Sequence, residues 1–190
     1  MSEFRIAGES DVDTVVGILV AAFQDDPISG WVFPGDERRR TESHPAFFAT
    51  IVETAFAGGR IDIAEDHSAA MVWSPGPEEE DDDGFPGLGP VETERLEVLF
   101  GLMGEHAPSE PPHWHAQFIG VVPGRQREGV GGRLFRYGLR RYDAEGMPTY
   151  LEASSPESAR LYRRLGYRDF CPAFTPQGGP PMQPMWRDPA

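Results

Sequence analysis

The sequence contains no lysine: all 17 basic residues are arginine. It has a single cysteine, Cys171. No apolar run approaches the roughly 20 residues that a helix needs to cross a bilayer. Each absence excludes something. Without lysine, the Gly-Lys-Ser/Thr phosphate loop of ATP- and GTP-binding proteins is ruled out. With one cysteine, a disulfide framework and a cysteine-rich metal site are ruled out. The N-terminal MSEFRIAGESDVD has neither the basic stretch nor the apolar stretch of a signal peptide, so the cytoplasm is the expected compartment.

The net charge is −14, which disfavours nonspecific binding to nucleic acid or anionic lipid. Its distribution is uneven. Arg125 to Arg168 holds ten arginines against five acids, a local balance of +5, and leaves −19 on the rest. A basic segment in an acidic protein fits either a polyphosphate ligand or solvated helix faces. At 190 residues the chain is one ordinary domain, and its 19 prolines and 22 glycines imply long ordered loops.

Periodicity gives a mixed α/β order. A short strand at Phe4–Ile6 precedes a helix capped by Ser10 or Asp11 and running to Phe23, with Val12, Val15, Val16 and Leu19 on one face. Residues 24–36 have turn chemistry around Trp31 and Phe33. A second helix is expected over Arg38–Phe56. A hairpin follows, Arg60–Ala64 with Ser68–Trp73, turning at Glu65-Asp66-His67. The six acids Glu78–Asp83 repel one another and read as an exposed loop, or as a lid. Beyond a helix at Val91–Met103, Trp114–Val122 reads as a strand. A helix from Gly129 to Tyr142 buries Phe135, Leu139 and Tyr142, while Arg133, Arg136 and Arg140 form a separate stripe. Strand Thr149–Ala153, helix Ser155–Leu165, and final strands Tyr167–Ala173 and Met182–Arg187 complete the order.

The informative stretch is Val121–Gly132, VVPGRQREGVGG: strand, loop, then a glycine-rich helix start. A helix N-terminus offers unpaired N–H groups and the positive end of the dipole. Glycines let a pyrophosphate approach that backbone. A dinucleotide fingerprint would put its third glycine at Leu134, so it does not fit.

Gln126-x-x-Gly129-x-Gly131 after Val-Val-Pro resembles motif A of the GNAT acetyltransferases. Some 20 residues on, TYLEASSPESARLYRRLGYRDF resembles motif B of the same family. HWHAQFIGVVP, the AAFQDDP helix end and the closing PMQPMWRDP narrow the resemblance to puromycin N-acetyltransferases and their actinobacterial relatives, a group of antibiotic-modifying bacterial enzymes. It implies the GNAT fold: a central twisted mixed sheet of six to seven strands flanked by helices, as one domain over 1–190. Residues 1–112 would form a variable acceptor side and 113–190 an acetyl-CoA side.

The resemblance implies acetyl-CoA as co-substrate, bound by Ile119, Val121, Val122, Gln126, Arg127, Glu128, Gly129, Val130, Gly131, Gly132 and Ser158. Two positions depart from the family: Ser158 stands where asparagine is common, and Arg127 where glycine is usual. Tyr162 occupies the general-acid position. Glu152 is the first candidate for general base and His115 the second. Asp25, Asp26, Trp31 and Phe33, with His115, are candidates for binding the acceptor, a small cationic or drug-like amine. His113 and His115 lack a third metal ligand, so no metal is expected, and Cys171 is expected to be core. Direct transfer in a ternary complex follows. Membrane and nucleic-acid partners are not expected, and the chain would be a monomer or homodimer. Acetylation of protein N-termini or lysines, and a non-catalytic CoA-binding sensor, are the rival readings.

Overall fold

The computed structural model describes residues 3–35, 37–77 and 84–190, with the side chains of 37–39 and 41 excepted. The acidic run Glu78–Asp83 lies outside the described residues. Seven strands form one sheet: β1 (Phe4–Ile6), β2 (Arg60–Ala64), β3 (Ala69–Gly76), β4 (His113–Val121), β5 (Thr149–Ala153), β6 (Arg168–Asp169) and β7 (Gln183–Arg187). Their spatial order is β1-β2-β3-β4-β5-β7-β6. Every neighbouring pair is antiparallel except β4 and β5, which are parallel.

The helices are α1 (Val12–Ala22), α2 (Pro27–Val32), α3 (Glu37–Gly58), α4 (Pro90–His106), α5 (Val130–Glu145) and α6 (Pro156–Arg164). The alternation of strand side chains sorts the core into two layers. Ile61, Ile63, Ala70 and Val72 meet α1, α3 and α4 through Val15, Leu19, Phe48, Val52 and Leu96. Met71, Trp73, Leu151 and Met185 meet α5 and α6 through Leu134, Phe135, Tyr142 and Tyr162. α5 lies close on the sheet because Gly138 has no side chain. A Cβ there would stand 2.7 Å from Trp73 Cζ2 and 2.8 Å from Asp62 Oδ2. The buried Asp62 accepts hydrogen bonds from Trp73 Nε1 (3.0 Å) and Arg141 Nη2 (2.9 Å).

Two expectations need correcting. Residues 24–36 are not all turn: Asp26 caps α2 by accepting from Ile28 N and Ser29 N, and Pro27 fits the first helical turn. The strand expected at Tyr167–Ala173 is paired only at Arg168–Asp169. Pro172, which has no N–H to donate, interrupts it, and a single bridge joins Phe174 to Met182. Among the described residues no helix is long and apolar enough to cross a membrane.

The feature that positions the site is the mismatch at β4. It pairs with β3 from Ala69↔Val121 to Gly76↔His113, but with β5 only at Trp114↔Thr149 and His115↔Tyr150. Beyond His115 the parallel strands separate. The β3–β4 register slips at the same level: Val72 faces Phe118 and Trp73 faces Ala116, which leaves Gln117 as a bulge.

Candidate active site

The gap between β4 and β5 opens into a cleft of about 780 Å³. Ala116, Gln117, Phe118, Ile119 and Val121 line one wall, and Glu152, Ser154 and Ser155 the other. Four consecutive residues of β4, Ala116 to Ile119, face this one cavity, and the bulge at Gln117 breaks the alternation there. Past β5's pairing, β4 keeps backbone groups for a ligand rather than for a neighbouring strand.

At one end of the cleft lies the loop read from the sequence. Gly129 caps α5 in the left-handed conformation (φ 80°). Gln126 Nε2 donates to Val121 O at 3.1 Å and folds the loop back on β4. A Cβ on Gly131 would meet Val121 Cγ2 at 3.0 Å. Backbone N–H groups at this helix start therefore face the cleft with no side chain in front of them. Arg125, Arg127, Arg136 and Arg164 also line it. Glycine-backed N–H groups beside four guanidinium groups fit a pyrophosphate with a further phosphate. Arg127 adopts φ 65°, a left-handed conformation that favours glycine.

Gln126, Arg127, Gly129, Val130, Gly131, Gly132, Ile119, Val121 and Ser158 are brought together on this wall. Val122 and Glu128 are not among the lining residues. Val122 N donates to Ser68 O at 3.0 Å, and Glu128 pairs with Arg125 at 2.8 Å. Ser158 contributes to the cap of α6: its N–H donates to Ser155 Oγ, and its own hydroxyl donates to Ser155 O at 2.9 Å.

Tyr162, a buried residue of α6, lines the cleft. Burial, and then the nearby Asp26 carboxylate, push its phenol up, so it stays protonated at neutral pH. Its hydroxyl has no hydrogen-bond partner among the described residues. Asp26 itself joins α2 to the end of β5. Oδ1 accepts from Ile28 N and Ser29 N, both at 2.9 Å, and Oδ2 accepts from Ser154 Oγ at 2.8 Å. Burial raises its pKa, against the lowering effect of those bonds.

The two candidate bases, read separately from the sequence, are bonded to each other. His115 Nε2 lies 2.7 Å from Glu152 Oε2. Glu152 lines the cleft, whereas His115 stands behind it. Cys171 has its thiol pushed up by burial and by the charge of Glu152. His113 Nδ1 bonds to Pro111 O at 2.9 Å. Among the described residues no three His, Cys, Asp or Glu side chains gather as metal ligands.

At the far end the cleft is walled by Phe23, Ile28, Val32, Phe33, Phe47, Phe48, Leu96, Leu99, Phe100, Met103, Phe118 and Met182. Phe33 and Asp26 lie here as read from the sequence, and Asp25 stands on the exposed rim. Trp31 does not line the cleft; its ring stacks under the Arg95 guanidinium at 5.4 Å, which ties α2 to α4. The sequence carries no signal for the Asp26–Ser154 bond, which spans 128 positions. It also hid the contributions of Leu96, Phe100 and Met103, which read in the sequence only as part of the helix at Val91–Met103.

The sequence model of the acetyltransferase (GNAT) family matches residues 60–167. A mycothiol acetyltransferase of Streptomyces avermitilis is 38% identical over 68 residues, covering 29% of this chain and 22% of that protein. The match thus spans under a quarter of that relative's length. A solved structure from Corynebacterium glutamicum, described as a histone acetyltransferase HPA2 and related acetyltransferase, is 28% identical over 100% of this chain and 98% of its own, with a TM-score of 0.70. A GNAT family acetyltransferase from Brucella melitensis, solved in complex with acetyl-CoA, has a TM-score of 0.52 at 19% identity, over 95% of this chain and 84% of its own.

Proposed function

The chain belongs to the GNAT acetyltransferase family, whose members use acetyl-CoA, and we propose that it transfers acetyl directly to the primary amine of a small cationic or drug-like molecule in a ternary complex. One observation carries the reading: Glu152, Tyr162 and Asp26 meet in the same cleft as the glycine-rich start of α5. In this reading 1–190 is one domain. Residues 1–112 supply most of the acceptor side and 113–190 the acetyl-CoA side, although Phe118 and Met182 belong to the acceptor end.

Bound acetyl-CoA supplies an acetyl thioester. Gly129–Gly132 and the loop arginines hold phosphates, and the free edge of β4 orients the arm that carries the thioester. A β4 N–H would face the thioester oxygen and steady charge that develops there. Asp26 attracts the ammonium group. Glu152, backed by His115, takes the proton that must leave nitrogen before it attacks. Tyr162 holds a proton for the departing sulfur. The raised Cys171 thiol is poorly suited to act as a covalent carrier, which supports the direct route.

The test is CoA-thiol release with purified protein, acetyl-CoA and a panel of aminonucleosides, arylalkylamines, polyamines, amino acids and peptides. Turnover of small amines is expected. Turnover confined to peptides would favour the protein-acetylating alternative, and acetyl-CoA binding with no turnover would favour a sensor.

A further inference from the structure

Apart from Glu152 at the apex of the gap, the charged side chains at the acceptor end of the cleft are Asp25 and Asp26 among the described residues, and Asp25 stands on the exposed rim. Asp26 is mostly spoken for. Oδ1 accepts from Ile28 N and Ser29 N, and Oδ2 accepts from Ser154 Oγ. A carboxylate has about four acceptor sites, so Oδ2 has room for one further donor. That suits a single ammonium group.

The rest of this end is apolar by construction. Leu96, Leu99, Phe100 and Met103 share one face of α4 and line the cleft. The acids of the same helix turn elsewhere. Glu94, Glu97 and Glu105 are exposed to solvent. Glu92 is buried, engaged within the fold, and does not line the cleft. Phe23, Phe48 and Phe118 pack ring against ring, with centroids 5.4, 5.6 and 5.5 Å apart. Ser29 is the polar residue that α2 adds to this wall, and its hydroxyl is bonded to the buried His44 ring at 2.8 Å. Neither of those two groups carries negative charge.

We propose that the acceptor is a primary monoamine, with its one ammonium at Asp26 and an uncharged, apolar tail packed on the inner face of α4. This rests on the transferase reading above and narrows its acceptor. A second ammonium on the tail has two ways in, both costly. Entering charged, it loses its water to phenyl and alkyl side chains that offer no counter-ion. Entering neutral, it gives up a proton from a pKa near 10, which at pH 7 costs roughly a thousandfold. The apolar face of α4 thus selects against diamines and polyamines, while it gains from every methylene that it covers.

The experiment compares kcat/KM, read as CoA-thiol release, for propylamine, hexylamine and 1,5-diaminopentane. The last two are chains of equal length and differ only in a terminal methyl or ammonium group. Hexylamine should exceed 1,5-diaminopentane by at least roughly a hundredfold. It should exceed propylamine by roughly tenfold or more, from the burial of added methylenes. Met103→Glu places a carboxylate on the inner face of α4 at a half-buried position. It should shrink the hexylamine-to-diaminopentane ratio by roughly tenfold or more, and Met103→Gln, which removes the same apolar surface without adding charge, should not rescue the diamine. A wild-type enzyme that uses 1,5-diaminopentane as well as hexylamine overturns the proposal, as does propylamine equal to hexylamine. A ratio unchanged by Met103→Glu in a protein that still binds acetyl-CoA overturns the placement of the tail on α4. The wild-type rates decide the monoamine claim even if a variant fails to fold. Efficient turnover of the diamine would leave the transferase reading intact, whereas turnover of no amine at all would overturn that reading itself.

Discussion

His115 Nε2 lies 2.7 Å from Glu152 Oε2, and the two side chains are 6% and 3% exposed. They come from β4 and β5 at the last point where those strands pair, His115↔Tyr150, before the sheet opens. The carboxylate therefore sits at the apex of the gap, with the imidazole filling the space behind it. The two side chains form one hydrogen-bonded unit.

The first prediction concerns that unit. Glu152→Gln should lower kcat by roughly 10²- to 10⁴-fold, the usual worth of a general base. His115→Asn should lower it less. The double variant should be little worse than Glu152→Gln alone, since groups that act together do not lose their effects additively. Rates for all four proteins against one amine give the cycle, and fully additive losses would contradict a shared role.

A second prediction follows from the Arg127 backbone. At φ 65° a side chain with a Cβ is strained. Arg127→Gly relieves that strain, but adds freedom to the unfolded chain. The net should be a gain of about 0.5–1 kcal/mol in urea denaturation. Acetyl-CoA binding should weaken in the same variant, because a guanidinium leaves the cleft wall. A variant less stable than the wild type would contradict the strain argument.

The third prediction is a pH dependence. His44 is neutral in the fold, with its pKa lowered from 6.5 to about 4 by burial and then by the Arg40 charge. Between these values the unfolded chain binds a proton that the folded chain does not. Stability from this group is thus fully present above pH 6.5 and is lost as pH falls toward 4. The loss between pH 7 and pH 5 should be about 2 kcal/mol. Asp26, whose folded pKa is raised, works in the opposite direction. Denaturation at the two pH values, with His44→Gln as reference, isolates the effect. An equal acid loss in the variant would contradict it.

Much of the wall proposed to bind acetyl-CoA is legible in the sequence because it is local. Gly129 and Gly131 announce a helix start that needs bare backbone, and they lie within ten residues of the strand that feeds it. Tyr162 was legible for the same reason, through the short motif around α6. The acceptor end was not. Asp26 was singled out as an acid, yet its bond to Ser154 and its approach to Tyr162 join distant parts of the chain. Trp31 and Phe33 looked equivalent, two aromatics in one short segment. Helix α2, hidden by its turn-like composition, turns Phe33 inward and Trp31 toward Arg95. Glu152 and His115 looked like rivals because their pairing depends on the register of two parallel strands 37 positions apart.

The most direct test of the account is Tyr162→Phe, followed by CoA-thiol release and acetyl-CoA binding in parallel. The variant removes one oxygen and leaves the ring against Phe135 and Tyr167. Turnover should fall by roughly 10²-fold, while the Kd for acetyl-CoA stays nearly unchanged. Undiminished turnover would contradict the assignment of the proton that the departing sulfur receives.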